Sequence, residues 1–84
     1  MAESQRQILD KVVQVLRAKC RVDADIRPES RLAVDLKLDS VGMLTMALEI
    51  ENLYGMNLGD EPDHPPETVE DVVGLIAVRL RERG

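Results

Sequence analysis

Asp35-Leu36-Lys37-Leu38-Asp39-Ser40-Val41 is the stretch on which the fold turns. Downstream of it, Val41, Leu44 and Leu48 repeat at helical spacing on one stripe, and Met43, Ala47, Ile50 and Tyr54 on another. The spacing predicts a helix over 40–54. Gly55 follows directly and suits a left-handed helix cap. Ser40 thus falls at a helix N-terminus, where unsatisfied amides and the positive end of the dipole lie. Read locally, Ser40 is an ordinary capping serine. The same position would also stabilise a phosphate ester on its hydroxyl.

Two further helices flank this one. Ile8, Val12, Val15 and Leu16, with Leu9, Val13 and Cys20, predict a first helix over about 4–20, with Ser4 and Gln7 placed as a capping box. Val69, Val72, Val73, Ile76, Ala77 and Leu80 predict a last helix over about 68–82. Thr68 is its cap, Glu70 and Asp71 lie in its first turn, and Arg79, Arg81 and Arg83 in its last. The expected fold is all-α: one domain over 1–84, a small bundle of three main helices. The long loop 21–39 is expected to be pinned by Val22, Ile26, Leu32, Val34, Leu36 and Leu38. The segment 56–67, with Pro62, Pro65 and Pro66, leaves room for at most a short fourth helical turn.

Composition narrows the function. The chain has 84 residues, a net charge of −5, one aromatic residue (Tyr54), one cysteine (Cys20) and one histidine (His64). A negative chain without aromatic platforms is a poor binder of nucleic acid or of an anionic membrane. One cysteine excludes an internal disulfide framework and any multi-cysteine zinc site. Cys20 reads as a buried apolar residue, and His64 as an exposed loop residue. No metal site is expected, and the reactive side chains are too few for a self-sufficient enzyme. The first ten residues lack the apolar run of a signal peptide, and no stretch matches a membrane span. With the free thiol, this points to the cytoplasm. Residues 35–71 hold ten acidic residues and one basic, Lys37, a local charge of −9. Such a zone is either a solvated face or a surface that steers toward basic partners.

Over nearly its whole length the chain resembles the acyl carrier protein family. The shared features are size, the long first loop, Leu38-Asp39-Ser40 at the start of an amphipathic helix, Tyr54-Gly55 at its end, and Thr68-Val69-Glu70-Asp71-Val72 at the entry to the last helix. The resemblance implies a carrier that serves partner enzymes and is not itself an enzyme. Ser40 matches the serine that receives 4′-phosphopantetheine from coenzyme A through a Mg²⁺-dependent phosphopantetheinyl transferase. Asp39 matches the acidic residue that helps to engage that transferase. The arm's thiol would hold an acyl group as a thioester. The helix after Ser40 would be the docking surface, with Val41, Met43, Leu44, Glu49 and Glu51 as candidate contacts.

Expected partners are the transferase and acyl-loading, condensing or modifying enzymes, with no nucleic acid or membrane. The chain is expected to be a monomer. The sequence also departs from the family. Acidic residues often stand where Gly42 and Thr45 are, and glycine usually stands where Lys37 is. These departures point toward a polyketide-type or other specialised route as much as toward fatty acids. An aminoacyl or peptidyl carrier, and an unmodified helical interaction module, are the competing readings.

Overall fold

In the computed structural model, described for residues 4–58 and 66–83, three helices are present: α1 (Gln5–Ala18), α2 (Ser40–Tyr54) and α3 (Val69–Arg83). No strand is formed among the described residues beyond one isolated bridge between Arg31 and Thr68. The fold is a small all-α bundle. The short fourth turn expected within 56–67, the Pro62–Pro65 stretch and His64 fall largely or wholly on 59–65, outside the described residues.

α1 packs against both α2 and α3. Its inward stripe is Ile8, Val12, Val15 and Leu16, all buried. Ser4 caps it through the expected reciprocal box: the Gln7 amide donates to Ser4 Oγ (3.2 Å) and the Ser4 amide to Gln7 Oε1 (2.9 Å). The helix stops at Ala18 rather than 20, because the Lys19 amide closes the last turn on Val15 O (2.8 Å) and Arg21 turns into the left-handed region (φ 57°). Cys20 therefore lies past the helix end. It is half-buried, not a core residue of the helical stripe.

α2 faces inward with Met46 and Ile50, both buried, and with Met43, Ala47 and Tyr54 packed partly against the core. Lys11 Nζ lies 5.1 Å from the Tyr54 ring centroid, a cation–π contact that ties the α1 face to the end of α2. Gly55 ends the helix in the left-handed conformation (φ 62°), with the Gly55 and Met56 amides both reaching Glu51 O. The last helix buries Val69, Val72, Val73 and Ile76.

The first turn of α3 carries a second box. The Asp71 amide donates to Thr68 Oγ1 (3.1 Å), while Asp71 Oδ2 accepts from the Glu67 and Thr68 amides (3.0 and 3.1 Å). The Glu67 bond is the main cause, and the Thr68 bonds add to it, of a carboxyl held below its usual range. The folded pKa is depressed, so the stabilisation is present above the ordinary carboxylate pKa and is lost as pH falls through the folded value. Asp71→Asn should therefore flatten the acid limb of the stability curve. The check is the melting temperature of both proteins from pH 7 to pH 2; parallel curves would contradict the assignment.

The long loop is a built structure rather than a loose connection. Val22, Leu32, Leu36 and Leu38 are buried, and Ile26 is partly so. Val34 is the exception: 65% of its surface is exposed. The reason is the turn that holds it, in which the Asp35 and Leu36 amides both donate to Arg31 O (2.9 and 3.0 Å) and Val34 points out at the apex side. The loop is also laced to the start of α3. Leu32 N donates to Glu67 O (2.8 Å), Val69 N to Ser30 O (3.0 Å) and Glu70 N to Pro28 O (2.8 Å). Those last two bonds satisfy amides that a helix N-terminus otherwise leaves open. Ser30, the buried polar residue of the loop, closes this turn by accepting from Arg27 N at its hydroxyl (2.9 Å).

Candidate functional site

The approach to Ser40 is fixed by alternate burial. Leu36 and Leu38 point into the core, while Lys37, Asp39 and Ser40 are exposed. The Leu38 amide donates back to Leu32 O (2.9 Å), which locks the segment onto the organised loop. Asp39 is in extended conformation and caps α2: the Gly42 amide donates to its Oδ1 (2.7 Å) and the Met43 amide to its carbonyl (2.9 Å). Ser40 is thus the first helical residue, not the capping residue that the local sequence suggests. The cap is Asp39, whose carboxylate suits the positive end of the dipole as well as the amide. Freed from capping, the Ser40 hydroxyl stands exposed at the helix start.

Lys37 sits two residues before the cap with φ 58°. A left-handed conformation costs an ordinary residue about 1–2 kcal/mol, and glycine escapes most of that. This is the physical reason a glycine fits the position. Lys37→Gly should therefore stabilise the fold by about 0.5–1 kcal/mol. Urea denaturation would show it as a raised midpoint, and an unchanged or lowered midpoint would count against the strain.

Gly42 has an internal reason as well. A Cβ there would stand 3.1 Å from Leu38 Cδ2 and 3.4 Å from Asp39 Oδ1. The bare backbone lets the buried Leu38 side chain and the cap pack close to the helix. The carbonyl of Gly42 also lies 3.7 Å from Cys20 Sγ, within reach of a weak thiol hydrogen bond. Burial, and then the nearby Glu49 charge, push the Cys20 thiol above its usual pKa. The raised pKa leaves less of the Cys20 thiol as nucleophilic thiolate.

The remaining candidates divide by face. Val41 and Leu44 are 71% and 60% exposed, and Leu48, on the same stripe, is 49% exposed. Met43 is half-buried and packs against the core. Glu49 Oε1 lies 3.9 Å from Nζ of Lys19, the residue that caps the end of α1. Glu51 Oε2 accepts from the Leu58 amide (3.0 Å), and Arg79 Nε of α3 donates to the Leu58 carbonyl (3.2 Å). Leu58, itself buried, therefore links the end of α2 to α3. Sequence reasoning missed Leu58, because an isolated leucine between Asn57 and Gly59 carries no periodicity.

No protein-family model matches the chain. Curated relatives do. An acyl carrier protein of Myxococcus xanthus is 30% identical over 74 residues, spanning 87% of this chain and 94% of that one. The chain belongs to the acyl carrier protein family. A second acyl carrier protein, from Coprothermobacter proteolyticus, is 38% identical over 58 residues, covering 69% of this chain and 71% of its own. The meromycolate extension acyl carrier protein of Mycolicibacterium aurum is 31% identical over 77 residues, 90% of this chain and 79% of its own. Like the family, this carrier has an all-α bundle. Among its described residues no helix is long and apolar enough to cross a membrane.

Proposed function

We propose that this acyl carrier protein holds acyl intermediates as thioesters on a 4′-phosphopantetheine arm attached to Ser40. The supporting observation is the exposed Ser40 hydroxyl at the first position of α2, directly after the Asp39 cap. The residues present fit such a group. A phosphodiester at the Ser40 oxygen would stand at the dipole's positive end, beside the first two amides of α2, which have no carbonyl four residues back in the helix. The arm, when attached, supplies the thiol that bears the acyl group. The chain's own residues position that attachment. Leu36 and Leu38 anchor the approach, Asp39 fixes the helix start, and nothing in the core needs to move for an enzyme to reach Ser40.

Asp39 remains exposed while capping, and one of its oxygens, Oδ1, is engaged by Gly42. In this reading its other oxygen serves the transferase and its Mg²⁺. The carrier does not catalyse; a transferase loads its arm, and acyl-loading, condensing or modifying enzymes act on its cargo. The cargo belongs to a polyketide-type, fatty-acid-like or other specialised biosynthetic route. The test is incubation with coenzyme A, Mg²⁺ and a broad-specificity phosphopantetheinyl transferase, followed by intact mass. The wild type should gain one phosphopantetheinyl group and Ser40→Ala none. An unmodified wild type, across several transferases, would leave an unmodified interaction module as the better reading.

A further inference from the structure

Lys37 carries a side chain that the fold itself does not use. The approach to Ser40 takes a left-handed backbone at position 37 (φ 58°), which glycine meets without strain and lysine does not. Arg21, the other described non-glycine residue at positive φ, follows the end of α1, where such a conformation closes a helix. Lys37 closes no helix. Its neighbours Leu36 and Leu38 are buried, while Lys37 is exposed, as are Asp39 and Ser40. Among the described residues its ammonium forms no hydrogen bond or ion pair. The acidic residues on either side bond to amides instead: Asp35 Oδ2 accepts from Arg31 N (2.8 Å) and Asp39 Oδ1 from Gly42 N (2.7 Å). A strained residue held in place by its surroundings is a mark of functional sites.

We propose that Lys37 is the counter-ion of the phosphodiester that joins the arm to Ser40. This rests on the carrier reading and adds a residue of this chain to it. Three residues span at most about 10 Å, a gap that a flexible four-carbon ammonium stem and the ester on Ser40 close from both sides. Charge selects the occupant. Loading adds a permanent negative charge to a chain already at −5, and within 35–71 that charge meets ten carboxylates and one cation, Lys37. The first amides of α2 offer it partial charges only. A full ammonium beside them makes a charge-assisted contact and offsets the repulsion. A carboxylate on a partner enzyme would reach Lys37 only during an encounter and against a local charge of −9, whereas the ester is fixed in place.

The test compares unloaded with loaded protein, so the strain at position 37, present in both, cancels. At low salt, loading should raise the melting temperature of wild type about 2–4 °C more than that of Lys37→Gln. Lys37→Arg should keep the wild-type shift. Arg6→Gln should keep it too, since it removes an exposed cation at the start of α1, whereas the chain just past the other end of α1 meets Gly42 through Cys20. In about 1 M NaCl wild type and Lys37→Gln should converge, because screening then acts over about 3 Å. The phosphorus NMR resonance of the loaded protein should move in Lys37→Gln and stay in Arg6→Gln. Equal loading shifts in wild type and Lys37→Gln would overturn the assignment, as would a difference that survives the salt. So would a raised transferase KM for Lys37→Gln with both loading readouts unchanged, which gives the ammonium to a partner carboxylate. Each of these results leaves Ser40 modified. A wild type that takes up no phosphopantetheine is a different result, and it removes the carrier reading itself.

Discussion

Leu32→Ala should cost about 2–5 kcal/mol, although residue 32 lies in a loop. An 84-residue chain has a total stability of about 5–10 kcal/mol, so this is a large share of it. The Leu32 side chain is 1% exposed. Its amide reaches Glu67 O at the entry to α3, and its carbonyl receives the Leu38 amide on the approach to Ser40. Truncation leaves a cavity at the point where loop, α3 and the Ser40 segment meet, and a loop held by three cross-bonds cannot collapse freely to fill it. Val34→Ala, two residues away but 65% exposed, should stay within about 0.5 kcal/mol. Urea denaturation of the pair checks this. Similar midpoints for the two variants would mean that the loop does not contribute to the core.

Ile50→Ala should be comparably severe, about 2–5 kcal/mol. Ile50 is 0% exposed, the most deeply buried residue of α2. Its loss weakens the seating of the helix whose first residue is Ser40. Because the cap at Asp39 and the anchor at Leu38 are local, a folded population should still present Ser40. Stability should therefore fall far more than the rate of modification measured well below the melting temperature. Equal losses in both would show that Ile50 acts on the site directly.

Three kinds of feature were legible in the sequence to different degrees. The helices followed from local patterns: the Ile8-Val12-Val15 stripe, the Ser4–Gln7 box and the Gly55 cap need only helical spacing and backbone chemistry. The cap of α2 was misplaced by one residue, because Asp39 and Ser40 are both good capping residues and only the backbone shows which one takes the Gly42 amide. The loop was least legible. Its order comes from bonds such as Val69 N to Ser30 O and Leu32 N to Glu67 O, between residues more than thirty positions apart. The exposure of Val34 follows from the tight turn that closes on Arg31 O, and the end of α1 before Cys20 from Arg21's left-handed turn, neither of which a periodic pattern advertises. Lys37 hid its own strain, since only glycine advertises a positive φ in sequence.

For the site itself, sequence placed Ser40 at a helix start, while the division of α2 into a core face and an outward stripe needed the packing of α1. The acidity of Glu49 and Glu51 suggested partner contacts. The bond that Glu51 accepts from the Leu58 amide depends on the tertiary fold and gives that residue a use inside it.

The central claim is that Ser40 carries the arm. Fragmentation mass spectrometry of the intact protein, after reaction with coenzyme A, Mg²⁺ and transferase, tests it directly. The prediction is a single phosphopantetheinyl group localised to Ser40, with the other two serines, Ser4 and Ser30, unmodified. An unmodified Ser40, or a group found on another residue, would contradict it.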